Sequence, residues 1–126
     1  MLNVDRTFVG TRAVQQALAG SHTIYRYCTF ADAELEGAHC DGVFVACTFE
    51  HIDLCWGLFN TAIFVDCICE SCTFRGTSFA GCRIVDSRFE NCRFLRDNLQ
   101  AACSADDTRI YGCRAVRCEG FDALFG

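Results

Sequence analysis

Through the middle of this chain, mostly large apolar residues return at every fifth position: Phe49, Leu54, Phe59, Phe64, Cys69, Phe74, Phe79, Ile84, Phe89, Phe94 and Leu99. Two residues before each lies a second, mostly small residue: Cys47, Ile52, Gly57, Ala62, Cys67, Cys72, Thr77, Cys82, Ser87, Cys92 and Asp97. An α-helix, a plain strand and a coiled coil all fail to return the same face every fifth residue. A fixed short period instead marks a repeat architecture, in which each unit is buried only against its neighbours. Side chains alternate along a strand, so a small and a large residue two apart point the same way and define one short stretch of strand. The other two residues must turn a corner before the pattern restarts, so the chain winds into a coil.

The run extends in both directions if two irregular steps are allowed. Upstream, Tyr25, Phe30, Leu35 and Cys40 keep step and a four-residue step reaches Phe44; downstream, a six-residue step carries Leu99 to Ala105, followed by Ile110, Ala115 and Gly120. Nine of the twelve Phe take the large position and nine of the twelve Cys the small one, so phenylalanine fills the interior and cysteine lines it. Charge gives an independent check, because unpaired charges avoid interiors. Residues 31–70 carry eight acids and no base, and all eight (Asp32, Glu34, Glu36, Asp41, Glu50, Asp53, Asp66 and Glu70) fall on outward positions. Within the unbroken run only Asp97 breaks this rule, which predicts a local bulge or a carboxylate bonded to backbone N–H groups where the six-residue step begins.

Stretches such as Cys72-Thr73-Phe74-Arg75-Gly76 and Cys92-Arg93-Phe94-Leu95-Arg96 resemble the pentapeptide-repeat family over residues 23–120. The resemblance implies an all-β, right-handed quadrilateral β-helix with four repeats per coil, about five coils in all, in which residues twenty apart stack. A stack of this kind needs its ends covered. Residues 1–22 are expected to form an N-terminal cap, with Thr11 capping a short helix over Arg12 to Ala19 and Gly20 stopping it. Residues 121–126, with Phe121, Leu124 and Phe125, form an apolar tail that either folds over the last coil or pairs with another subunit.

No stretch has the length of apolar sequence that a membrane span needs, and the N-terminus lacks the basic and hydrophobic regions of a signal peptide. The cysteines occupy wall positions rather than the framework of a secreted disulfide scaffold, which points to reduced thiols and a cytoplasmic location. Cys67, Cys69 and Cys72 have the spacing of a metal motif, yet all three are inward positions on two different walls, so no metal and no cofactor is expected. Cys55 is the outward exception and the thiol expected to react first. His22, His39 and His51 are separated by wall segments, and no nucleophile, base and orienting group come together in sequence. The expectation is that the chain is not an enzyme and carries no catalytic residues.

Function must then lie on the outside, and the register orders the outer surface. Glu50, Glu70 and Glu90 stack at one corner position, with Asp53 nearby; Trp56, Leu58, Arg75 and Arg96 mark a second surface whose composition is that of a binding hot spot. Together these eight are the candidate partner-binding residues. Val45, Val65 and Val85 stack on a third face, with Ile68, and join Phe121, Leu124 and Phe125 as candidate homodimer contacts. The resulting expectation is a protein-binding scaffold or adaptor. The resemblance implies an alternative, because some family members mimic DNA and modulate type II topoisomerases such as gyrase, conferring quinolone resistance. Direct nucleic-acid binding is disfavoured by the net charge of −5 and the absence of Lys.

Overall fold

The computed structural model describes residues 2–126. In chain order its elements are β1 Leu2–Val4, β2 Thr7–Val9, α1 Thr11–Leu18, β3 Ile24–Arg26, β4 Thr29–Glu36, β5 Val43–Val45, β6 Thr48–Cys55, β7 Ile63–Val65, β8 Ile68–Glu70, β9 Thr73–Arg75, β10 Arg83–Val85, β11 Arg88–Glu90, β12 Arg93–Leu95, β13 Arg109–Tyr111, β14 Arg114–Val116 and α2 Phe121–Phe125. All strand pairs are parallel, and each joins a strand to the one directly above it in the next coil. The result is a β-solenoid of about five coils with four walls.

Wall A is the six-stranded sheet β1-β3-β5-β7-β10-β13. Wall B stacks β2, the first halves of β4 and β6, β8, β11 and β14, while wall C stacks the second halves of β4 and β6 with β9 and β12. Wall D is reduced to single bridges joining His39, Leu58, Ser78 and Ser104. The corners are turned by single left-handed residues such as Asp66, Asp86, Asn91 and Thr61, which is why a repeat needs two residues that do not face inward. Asp and Asn tolerate that conformation best among residues with a side chain.

The core confirms the five-residue register. Rings on one wall stack nearly parallel from coil to coil, as in Tyr25–Phe44 (4.8 Å, 6°), Phe44–Phe64 (5.0 Å, 8°), Phe59–Phe79 (5.2 Å, 5°) and Phe74–Phe94 (5.0 Å, 14°). Rings on adjacent walls meet edge-on, as in Phe30–Phe44 (74°) and Phe44–Phe49 (64°). Offset stacks and edge-to-face pairs are both favourable geometries, each adding about 0.5–1.5 kcal/mol beyond area burial. One interior cavity of about 30 Å³ remains, lined in part by Phe49, Ile52, Cys69, Cys72 and Phe89. It borders the position where a cysteine interrupts the column Phe30, Phe49, Cys69, Phe89.

The small inward position selects hydroxyl and thiol side chains for a polar reason as well as for size. Cys67 donates its thiol to the Phe44 carbonyl at 3.3 Å, Cys72 to Phe49 at 3.3 Å, Cys92 to Cys69 at 3.3 Å and Cys113 to Ile84 at 3.3 Å, and Thr77 repeats the contact with its hydroxyl to Leu54 at 3.3 Å. A carbonyl oxygen has two lone pairs, so it can accept this bond as well as a ladder N–H. A small donor therefore binds each coil to the one below it.

The register along wall A shows where the coil is irregular. Val43, Ile63 and Arg83 advance by twenty residues, but Ile24 to Val43 is nineteen and Arg83 to Arg109 is twenty-six. The short coil closes at Gly42, where a Cβ would lie 2.7 Å from the Thr23 carbonyl oxygen, so only glycine fits the tightened corner. In the long coil it is Cys103, not Asp97, that sits above Thr77: Ser104 bridges Ser78, and Cys103 donates to Phe74. The sequence register therefore fails here by a whole repeat. Residues 97–102 loop out, and Leu99, expected inside, is 77% exposed. The physical reason is that a coil holds four walls; one further repeat plus one residue cannot be wound in without displacing every rung above.

Both ends also differ from expectation. The solenoid begins at Leu2 rather than at residue 23, because β1 and β2 pair with β3 and β4 as a first rung. Helix α1 then takes the place of walls C and D in that rung and buries Val14 and Leu18 on the core. Its N-cap is Gly10, and Thr11 instead accepts the Glu34 N–H at its hydroxyl (3.0 Å). At the other end α2 lies over the last coil. Phe121 is buried against Phe89 (5.1 Å) and Phe125 packs on Phe79 (5.4 Å), so these two residues cover their own chain and leave the predicted pairing surface.

Candidate protein-binding surface

The acidic residues gather round the corner between walls B and C. Glu50, Glu70 and Glu90 occupy one register position on wall B, and Glu34 pairs in register with Asp53 on wall C. Asp32 sits at the corner itself, in a left-handed conformation. Like charges at strand spacing repel, by about 1 kcal/mol per close pair in a water-like dielectric. The three glutamates are not equivalent, because Glu90 is held by Arg88 at 2.5 Å. Asp53 faces Arg75 at 3.7 Å, both half exposed. Among the described residues Glu50 and Glu70 have no cationic partner within ion-pair distance.

Trp56 turns the corner between walls C and D, in line with Gly37 and Gly76. The three share a left-handed backbone (φ 70°, 57° and 54°), a conformation that costs a bulky residue about 1–2 kcal/mol. A long-range bond holds it there: the indole N–H donates to one Asp97 carboxylate oxygen at 2.6 Å. The other Asp97 oxygen accepts the N–H groups of Leu99 (2.8 Å) and Ala101 (2.9 Å), and Arg96 donates to the Gln100 carbonyl at 2.7 Å. Asp97 is thus the buried organiser of the looped-out segment, as its inward position foretold, and Trp56 is its strap. The Ala101 N–H, helped by the indole and the Leu99 N–H, holds the Asp97 carboxyl below its usual range. Gly76 makes the contact possible, since a Cβ there would lie 2.6 Å from the same carboxylate oxygen. Trp56 keeps 36% of its surface exposed and Leu58 42%, so an apolar edge survives beside the acidic corner.

The outer surface of wall A is a sequence signal that was only partly read. One row of outward positions is Leu2, Ile24, Val43, Ile63, Arg83, Arg109, and the other is Val4, Arg26, Val45, Val65, Val85, Tyr111. Nine of these twelve are apolar. Ile68 does not belong with them: it starts β8 round the corner on wall B, in line with Thr48 and Arg88, because the corner at Asp66 turns the chain before it. Ile63, one residue of the missed row, shares its strand with Val65.

The remaining chemistry is structural. All twelve cysteines are free thiols. Burial pushes Cys40 up to about 12 and Cys82 up to about 11, and raises Cys69 as well. Cys55 is half-buried, and burial together with the Glu36 and Asp97 carboxylates raises its thiol too, so it lacks the activation expected of a reactive cysteine. Asp41 accepts from the His22 N–H (3.0 Å) and the Ser21 hydroxyl (3.0 Å), which lower its carboxyl and tie down the corner below wall A. No group of three His, Cys, Asp or Glu side chains is placed to hold a metal ion among the described residues, and no described helix is long and apolar enough to cross a membrane.

No protein-family model matches the chain, and no curated protein sequence does. Solved structures do match in shape. One is the crystal structure of a pentapeptide repeat protein, Rfr23, from the cyanobacterium Cyanothece 51142, with a TM-score of 0.60 over 99% of this chain and 88% of that one, at 8% identity. At that identity the likeness speaks of fold alone, and it agrees with the stacked rings and four-walled register: the chain has the fold of a pentapeptide-repeat β-solenoid.

Proposed function

We propose that this chain is a non-enzymatic protein-binding scaffold that docks a basic segment of another protein along the corner between walls B and C. The observation that carries the reading is the pair Glu50 and Glu70, stacked in register without a cationic partner among the described residues while Glu90 and Asp53 have theirs. A ladder that repels itself is relieved by a bound cation, and exposed charge of this kind acts chiefly through steering. Trp56 and Leu58 supply apolar contact beside it. The free thiols support a reducing setting such as the cytoplasm.

The test is capture of partners from the native lysate by wild type and by Glu50→Lys/Glu70→Lys. The scaffold reading expects a partner whose association slows with salt and is lost in the reversed variant. Equal capture by both would refute this placement of the surface. A second reading, modulation of a type II topoisomerase by imitation of duplex charge, draws support from six of the eight acids of residues 31–70 lining this corner over three coils. It expects purified protein to alter gyrase supercoiling and the double reversal to abolish the effect; unchanged supercoiling at high micromolar protein would eliminate it.

A further inference from the structure

We propose that the outer surface of wall A is the interface of a homodimer, formed about a two-fold axis parallel to the solenoid. Its middle is apolar and exposed to solvent, with Ile24 41% and Ile63 36% accessible, whereas the facing positions of wall B carry glutamate, threonine and arginine. Contiguous apolar surface of this extent on a soluble fold marks an interaction site.

A second copy is the occupant that fits, for two reasons. The first is pitch. An axis along the rod sets each rung against the same rung of the partner, so the regular spacing of about 4.8 Å is matched from end to end, and the first outward residue of each strand faces the third of its counterpart. Ile63 then meets the partner's Val65, and Val65 meets the partner's Ile63. The second reason is charge. The same operation carries each arginine of the face towards the acidic rim of the other copy. Arg83 comes beside the partner's Asp86, a corner residue whose carboxylate lies over Gly112 at the edge of the wall. Arg26 comes towards the partner's Asp41. A face whose cations are all of one kind and whose rims are acidic is complementary to itself under this rotation.

Size sets the strength. Six rungs of about 4.8 Å across a wall roughly 15 Å wide give a footprint of about 430 Å² per copy, near the lower end of specific interfaces, so the dimer is weak, with a dissociation constant of about 10–100 μM.

Sedimentation velocity and light scattering across a concentration series test this on the full chain in reductant. Wild type is expected to shift from monomer to dimer with concentration. Val65→Asp, an outward change that leaves the core intact, is expected to weaken the dimer at least tenfold with an unchanged circular dichroism spectrum, because each substitution enters the interface twice. Arg83→Asp is expected to weaken it severalfold and Arg83→Asp/Asp86→Arg to restore it, a rescue that a merely structural arginine would not show. A wild-type chain that stays monomeric at 1 mM, a dimer indifferent to Val65→Asp, or a double variant no better than the single one would overturn the proposal. Because Glu50 and Glu70 lie on another wall, the dimer and the partner-binding reading stand or fall separately.

Discussion

Replacing Phe74 by alanine is the most direct test of the register. Its ring is 5% exposed, stacks on Phe94 at 5.0 Å, and meets Phe79 and Phe59 edge-on at 5.5 and 6.4 Å. Truncating a buried phenylalanine costs about 3–5 kcal/mol, lost transfer energy and residual cavity together. A chain of 126 residues has an unfolding entropy near 265 cal/mol/K at about 2.1 cal/mol/K per residue, so a loss of about 4 kcal/mol lowers Tm by roughly 15 °C. The neighbours are the controls. Thr73 and Arg75 point outward, and the pair between Arg75 and Asp53 is surface-exposed and worth at most about 1 kcal/mol, so alanine at either position is expected to move Tm by no more than about 4 °C. Thermal melts by circular dichroism, with urea titrations to check that the m-value is unchanged, measure all three. Equal losses at positions 73, 74 and 75, or a loss at Phe74 below about 1 kcal/mol, would refute the assignment of walls and corners.

The only tryptophan reports on the loop strap: Asp97→Ala and Gly76→Ala should both shift Trp56 emission to the red, and wild-type emission should hold as pH falls until it drops below the ordinary carboxyl range of about 4, because the bonded Asp97 carboxyl titrates lower. Emission that ignores both substitutions would show that the strap does not form. Filling the interior cavity by Cys69→Leu should raise stability by about 0.7 kcal/mol, taking 30 Å³ at about 24 cal/mol per Å³; destabilisation would mean that the site cannot absorb the extra carbons. Alkaline pH should destabilise the reduced protein. Unfolded thiols ionise from about pH 8.5, while Cys40 and Cys82 stay protonated in the fold up to about 12 and 11, so stability is complete below about pH 8.5 and declines by about 1.4 kcal/mol per pH unit per thiol above it. A Tm that is flat from pH 8 to 10 would contradict the burial of these groups.

The sequence made the walls legible because each inward position is a strong, repeated demand: nine phenylalanines and nine cysteines cannot fall in step by accident. It misled at Leu99 for the same reason. Asp97 and Leu99 keep the local period, and only the stacking of Cys103 on Thr77 shows that the coil was already complete. The first rung was invisible because its inward positions are taken by Asn3 and Arg6, neither of which resembles the repeat, while the backbone ladder to β3 and β4 forms regardless of side chain. Trp56 illustrates the limit for function. Its exposure and corner placement could be read, but a bond to a carboxylate forty-one residues away could not, and that bond changes the residue from a free anchor into a strap.

The two helices bear on how many molecules can join. At each end of the solenoid, walls A and B finish in bare strand edges, β1 and β2 below and β13 and β14 above, each bonded on one side only. Such edges are cohesive, and stacking the top of one molecule on the bottom of the next would extend all the ladders without limit. On walls C and D, however, α1 and α2 occupy the corresponding layer. A helix is about 10 Å across where a rung takes about 4.8 Å, so each helix projects beyond the edge it accompanies and holds the next molecule out of hydrogen-bonding range. The helices act as stoppers on a polymerisation that the repeat would otherwise propagate, and they let the protein keep a fibre-like interior while remaining a particle of fixed length.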